Sequence, residues 1–124
     1  MNSLDRLIAK AREDPRILAV FLYGSRARGD AGPSSDTDVC LVLAPAGSGD
    51  RAADVHLDYL GFPDLDVRVF QRLPIYVRQR VLGEGRLLLV KEEDALYSLA
   101  SRTVREFEDF RPYYRIHLEA AARG

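Results

Sequence analysis

Hydrophobic residues recur along the chain with two different periods, which predict helices alternating with strands. Helical spacing predicts α-helices over Leu4–Arg12, Arg51–Leu60, Pro74–Leu82 and Glu93–Ala122. Short apolar or alternating runs predict strands over Ile17–Tyr23, Asp36–Leu43, Leu65–Phe70 and Leu87–Val90. Asn2 or Ser3 can cap the first helix, and Pro112 is expected to kink or divide the last one near Phe110. The pattern indicates an α/β (α+β) fold with a small mixed sheet.

The alternation within two of these strands separates acidic positions from apolar ones. Asp36 and Asp38 fall on one face of the second predicted strand, and Val39 falls on the other. In the third predicted strand, Asp66 and Val67 divide in the same way. We therefore expect helices to cover the face that carries the valines, and three carboxylates to share the opposite, open face.

Composition limits the classes of protein that fit this pattern. The 124 residues suit a single domain over 1–124, with a kinked helical segment at about 93–122. Because 18 Lys and Arg face 19 Asp and Glu, no basic field favours bulk nucleic-acid binding. The single Cys40 excludes an internal disulfide and a multi-cysteine metal cluster, and fits a buried strand position. No apolar run suits a membrane span or a secretory signal, so we expect a cytoplasmic protein.

The candidate chemistry begins in the stretch G-S-R-A-R-G-D-A-G-P-S-S-D-T-D, which runs from Gly24 to Asp38. A glycine allows the backbone to approach a phosphate, and the Ser25 hydroxyl and N–H groups of one or two helical turns over about 25–30 can hold it. Arg26 and Arg28 can add charge-assisted contacts. This half of the stretch predicts a phosphate-binding turn.

The acidic half of the stretch predicts a metal site. Asp36 and Asp38 lie two residues apart on a strand, and Asp66 from the neighbouring strand can join them. A divalent cation relieves the repulsion among clustered carboxylates. Magnesium suits a small set of carboxylates, since water and phosphate oxygens complete its octahedron.

These motifs resemble the signature of the DNA polymerase β-like nucleotidyltransferase superfamily, a Gly-Ser pair followed after a loop by Asp-x-Asp, with a later L-D-V around Asp66. The small size and the segments V-L-G-E-G-R-L-L-L and R-E-F-E-D-F-R-P-Y-Y are most similar to its minimal nucleotidyltransferases, the MNT or MntA group. The resemblance extends from about Ile17 to Tyr114.

The resemblance implies a polymerase β-like fold and a two-metal transfer of a nucleotide from ATP. Asp36 and Asp38 would bridge two Mg²⁺ ions, with Asp66 completing the site as ligand or base. Gly24 and Ser25 would hold the triphosphate. Members of the minimal group act as antitoxins that move AMP onto a tyrosine of a helical HEPN protein, HepT, so a HepT-like partner is expected here.

Several alternatives fit the same residues. The chain could instead modify a small molecule of the antibiotic type, or it could bind a HEPN protein without catalysis. Asp66 could be an ordinary exposed strand residue or form a salt bridge with Arg68. Asp64 is a nearby carboxylate with loop-like flanks, and Glu84, between two glycines, is expected to be a turn residue.

Overall fold

The structure is a computed structural model that describes residues 2–24, 37–45 and 51–123, of which 111–123 are described in their backbone only. Its helices are α1 (Ser3–Glu13), α2 (Ala52–Asp58), α3 (Ile75–Glu84) and α4 (Glu93–Arg123). Its strands are β1 (Ile17–Tyr23), β2 (Thr37–Leu43), β3 (Leu65–Val69) and β4 (Arg86–Val90). The predicted start of the second strand at Asp36 and the predicted helical turns at 25–30 lie outside the described residues.

The four strands form one mixed sheet in the order β3-β2-β1-β4. Strand β1 is antiparallel to both of its neighbours, whereas β2 and β3 run parallel. Parallel neighbours need a crossover between them, and α2 lies in that connection. The prediction of an α+β fold with a small mixed sheet is confirmed.

One face of the sheet packs against α1 and α2. Leu7 and Ala11 of α1 and Val55 of α2 join Val39 and Val67 of the sheet in one buried cluster. This is the face that the alternation predicts as the core. Asn2 Oδ1 accepts a hydrogen bond from Asp5 N at 2.8 Å, so Asn2 caps α1.

The opposite face is also covered, by α3 and α4, which corrects the expectation that helices pack on one face alone. Phe21, Cys40 and Val42 of the sheet form a second buried cluster with Val81 of α3, and Leu96 of α4 packs against it. The physical reason is that β1 and the second half of β2 are apolar on both faces, so both need cover. Only the end of this face nearest Asp38 keeps its acidic character.

The predictions for the end of the third strand, the last helix and Cys40 have different outcomes. Phe70 begins a short 3-10 turn, Phe70–Arg72, instead of ending the third strand, and its side chain is fully buried. The last helix is continuous from Glu93 to Arg123, so Pro112 does not divide it, and the bend there stays a prediction. Cys40 is buried as expected, and burial raises the pKa of its thiol well above the usual range. None of the helices within the described residues is both long and apolar enough to cross a membrane.

A polar network fastens the start of β1 to α2, at the end of the sheet away from Asp38. The Asp14 carboxylate accepts hydrogen bonds from Arg16 N, Nε and Nη2 at 2.8–3.0 Å and from the Tyr59 hydroxyl at 2.9 Å. Arg16 also contacts Asp58 at 2.9 Å. Chiefly because Arg16 donates to it, the pKa of Asp14 lies far below its ordinary value.

Candidate active site

The pairing of three strands brings Tyr23, Asp38 and Asp66 into one row across the sheet. Tyr23 is opposite Asp38 in the antiparallel β1–β2 pair, and Asp38 is opposite Asp66 in the parallel β2–β3 pair. Neighbouring strands lie about 4.8 Å apart. The two aspartates and the tyrosine therefore share one face at the same level, as the alternation predicts for the aspartates.

Gly24 follows β1 directly and borders Asp38. Its φ of 74° is in the left-handed region, which glycine adopts without strain. A Cβ added at this position would collide with Asp38 Oδ2. The backbone at Gly24 therefore approaches the carboxylate more closely than any other residue type would allow, and the role of this turn in phosphate binding stays a prediction.

Asp66 makes an ion pair with Arg68 on the same strand. Arg68 Nε donates to Asp66 Oδ1 at 3.1 Å, and the two side chains are 54% and 39% exposed. An exposed pair of this kind contributes little to stability, so its carboxylate can exchange partners at small cost. The alternative of a salt bridge is thus observed, and the role of Asp66 as a metal ligand stays a prediction.

Tyr23 is a site residue that the sequence analysis did not single out. The pKa of its hydroxyl is raised well above the usual range, chiefly by burial and then by the negative groups of Cys40, Asp38 and Asp66. The phenol is therefore protonated at neutral pH and offers an O–H donor beside the acids. The signal was present in the sequence, because Tyr23 directly precedes Gly24 at the end of a buried strand.

Helix α3 adds a wall to the site. A cavity of about 100 Å³ lies between the end of β1 and this helix, lined by Tyr23, Gly24, Val77, Arg80, Val81 and Glu84. Glu84 is the last residue of α3, where the sequence predicts a turn, and its side chain belongs to this wall. Arg80, one helical turn earlier, was not predicted as a site residue.

The remaining predicted site residues, Ser25, Arg26, Arg28 and Asp36, lie outside the described residues, and their roles stay predictions. Within the described ranges, no group of three His, Cys, Asp or Glu side chains could hold a metal ion. Asp38 and Asp66 supply two carboxylates, and Asp36 precedes Asp38 by two residues. Their oxygen chemistry fits magnesium, which binds through one or two carboxylates together with water and substrate phosphates.

Asp64, the neighbouring carboxylate, has a different role from Asp66. It precedes β3 with a φ of 64°, and its carbonyl oxygen accepts a hydrogen bond from Thr37 N at 3.1 Å. This left-handed position breaks the strand alternation, so Asp64 is not in phase with Asp66. The loop-like character predicted for it agrees with this geometry.

The fold and this row of residues define a nucleotidyltransferase domain, and comparison with known families gives the same class. Residues 5–94, which include all four strands and both described aspartates, match the family described as polymerase beta, nucleotidyltransferase. The chain belongs to this family. The predicted superfamily is confirmed.

Individual relatives refine the comparison. A Methanocaldococcus jannaschii protein named "Putative protein adenylyltransferase MJ1547" is 28% identical over 79 residues, which span 62% of this chain and 59% of that protein. A chain from a crystal structure of a toxin–antitoxin with AMP-PNP superposes with a TM-score of 0.70 at 17% identity, covering 98% of this chain and 99% of that one. A chain from a tri-AMPylated Shewanella oneidensis HEPN toxin in complex with MNT antitoxin gives 0.66 at 15% identity, covering 97% and 96%. At these identities the two superpositions establish a shared fold, as the resemblance to MNT antitoxins predicts.

Proposed function

We propose that this chain is a magnesium-dependent adenylyltransferase that moves AMP from ATP onto a tyrosine hydroxyl of a HEPN-type protein, as the antitoxin of a toxin–antitoxin pair. The observation that carries the proposal is the row formed by Asp38 and Asp66 beside the left-handed turn at Gly24. The chain belongs to a nucleotidyltransferase family, and a carboxylate pair beside a glycine turn suits the metal ions and phosphates that nucleotide transfer requires.

In this proposal, one group of residues binds the nucleotide and another binds the metal ions. Gly24 admits the triphosphate, with Ser25 and the arginines Arg26 and Arg28 as its further contacts. Asp36, Asp38 and Asp66 would hold two Mg²⁺ ions, which when bound stabilise the developing charge and lower the pKa of the attacking hydroxyl. The protonated Tyr23 hydroxyl can donate to Asp38 or Asp66 and fix the orientation of the carboxylate.

The proposed reaction is a displacement at the α-phosphorus of ATP. The acceptor oxygen forms a bond to this phosphorus, the bond to the oxygen that bridges the α- and β-phosphates breaks, and pyrophosphate leaves. Since Asp66 lies on the edge strand β3, we infer that its carboxylate acts, as base or as metal ligand, at the side where the acceptor enters. Asp38, on the inner strand, remains beside the phosphate turn.

The relatives support a protein acceptor. One relative is named as a protein adenylyltransferase, and one structure of the same fold comes from a complex of MNT antitoxin with an AMPylated HEPN toxin. We infer that the partner supplies the acceptor.

The test is to incubate the purified chain with ATP, Mg²⁺ and the HEPN-type protein encoded beside it, and to measure the intact mass of that protein. A gain of one or more AMP units is expected, mapping to tyrosine by fragmentation, and it should vanish with Asp38→Asn. A stable complex with no mass gain would indicate a binding module. Transfer to a small molecule with no change in the protein would indicate the antibiotic-type alternative.

A further inference from the structure

Helix α3 carries two arginines whose surroundings differ. Arg78 donates to the Leu73 carbonyl at 2.9 Å and contacts Glu106 of α4 at 3.2 Å, so it joins the two helices. Arg80 is exposed and makes no hydrogen bond or ion pair with any residue that the structure describes. A long cation without a structural contact is available to a ligand.

The position of Arg80 relates it to the nucleotide turn. Arg80 and Gly24 line the same cavity of about 100 Å³, which is roughly the space of three water molecules. Gly24 therefore borders both the Asp38 carboxylate and the cavity that Arg80 lines. A phosphate chain that crosses this turn would pass from the carboxylates towards the guanidinium.

The charged groups around the cavity favour a phosphate chain that extends towards Arg80. Arg68, two residues after Asp66, is engaged with the Asp66 carboxylate. The side chains of Val77 and Val81 line the same cavity as Arg80 and offer no competing charge. Glu84 also borders the cavity, and its carboxylate restricts the strongest anion binding to the part of the cavity nearest Arg80.

We propose that Arg80 binds the β- and γ-phosphates of the nucleotide, the part that leaves as pyrophosphate, while the α-phosphate stays beside Asp38. The inference rests on the proposed function, because it assumes a triphosphate at Gly24. Arginine suits this role, since its planar guanidinium forms paired charge-assisted hydrogen bonds with phosphate oxygens. Loss of these contacts therefore weakens the binding of a nucleotide more strongly when more of its phosphates reach Arg80.

The test measures calorimetric dissociation constants for ATP, ADP and AMP, each with Mg²⁺, in the wild type and three variants. Arg80→Ala is expected to raise the dissociation constant of ATP about tenfold or more, that of ADP less, and that of AMP by less than about twofold. Arg80→Lys should restore part of the ATP affinity because it keeps the charge but loses the paired geometry. Arg12→Ala removes the same charge from an exposed position of α1, on the other face of the sheet, and should leave all three constants unchanged.

The outcomes separate the two proposals. Equal ATP affinity in the wild type and Arg80→Ala, or an equal loss for ATP and AMP, would overturn the role of Arg80 and leave the proposed function standing. A wild-type protein that binds no ATP and transfers no AMP would overturn the proposed function and this inference together. Because the Arg80 side chain is exposed and pairs with none of the residues in the described ranges, thermal unfolding of its variants should match the wild type.

Discussion

Asp38 lies directly opposite Asp66 in the parallel pair of β2 and β3, so two carboxylates occupy adjacent positions on one face of the sheet. Like charges placed opposite each other destabilise a sheet, and the ion pair with Arg68 is made by Asp66. A sheet that served only a structural purpose gains nothing from this like-charge pair. The arrangement is explained if the pair holds a cation that belongs to the function.

Removal of either charge should abolish transfer with little effect on the fold. Asp38→Asn and Asp66→Asn keep the size of the side chain but remove a metal ligand, so we expect losses of at least about a hundredfold in AMP transfer. Both positions are only partly buried, so thermal unfolding should change little. The measurement is the initial rate of AMP incorporation at saturating Mg²⁺.

Asp64→Asn is the matched control for Asp66→Asn. It removes the same charge two residues away, and asparagine tolerates the left-handed φ of that position. The rate of transfer should stay within about twofold of the wild type. If Asp64→Asn were the severe variant and Asp66→Asn the mild one, the third carboxylate of the site would be misassigned.

Arg68 should compete with Mg²⁺ for Asp66. Arg68→Gln removes a cation that contacts the carboxylate, so the site becomes more negative and should reach half-maximal activity at a lower Mg²⁺ concentration. The cost in the free energy of unfolding should be below about 1 kcal/mol, because the pair is exposed. A magnesium titration of the transfer rate distinguishes this from a catalytic role of Arg68, whose loss would instead lower the maximal rate at saturating Mg²⁺.

Gly24 and Gly83 should respond to alanine in opposite directions. Gly24→Ala forces a left-handed φ on alanine and drives its Cβ into Asp38, so we expect a loss of about 1–2 kcal/mol in unfolding free energy and a severe loss of transfer. Gly83 lies within α3 with open space around it, so Gly83→Ala should stabilise the protein by up to about 1 kcal/mol. Chemical denaturation measures both, and a stabilised Gly24→Ala would contradict the geometry.

The strand alternation was sufficient to predict which residues share a face, because the two-residue period of a strand is insensitive to tertiary context. It placed Asp38 and Asp66 on one face and Val39 and Val67 on the other, as the sheet has them. The adjacency of β2 and β3 was an additional assumption, and their parallel register now supports it. The bounds of β1 were also predicted from its continuous apolar run.

The packing of helices on the face that carries Asp38 was harder to predict. Cys40 and Val42 are in phase with Asp38, so the sequence assigned the whole face to the site, whereas the sheet buries its apolar part under α3 and α4. Which helix packs on which face depends on contacts between segments far apart in the chain. For the same reason, Arg80 could not be assigned to the site before α3 was seen next to Gly24.

The network around Asp14 should make stability depend on pH in the acid range. Because its pKa is lowered in the folded state, the stability that it contributes is fully present above the unfolded-state pKa of roughly 3.9 and is lost as the pH falls below that value. Asp14→Asn should lower the unfolding free energy at pH 7 by roughly 2–3 kcal/mol, since Tyr59 and Arg16 lose a buried charged acceptor. The difference between variant and wild type should shrink towards pH 2.

Asp58→Asn provides the comparison for this network. Asp58 also contacts Arg16, but its side chain is 52% exposed, so its removal should cost less than about 1 kcal/mol and leave the acid dependence unchanged. Urea unfolding curves between pH 2 and pH 7 give both values. If the unfolding free energy lost in Asp14→Asn did not depend on pH, the contribution of Asp14 would come from packing and not from its charge.

The role of the Asp38–Asp66 pair in nucleotide transfer can be measured directly with ATP labelled at either the α- or the γ-phosphate. The labelled ATP is incubated with the chain, Mg²⁺ and the HEPN-type partner, so that the two ends of ATP are followed separately. Nucleotide transfer predicts that the partner takes up the α-label alone, that pyrophosphate is released, and that Asp38→Asn or removal of Mg²⁺ stops both. Uptake of the γ-label would show phosphoryl transfer instead. Full α-label transfer by Asp38→Asn, or without a divalent cation, would contradict the central role given to the Asp38–Asp66 pair.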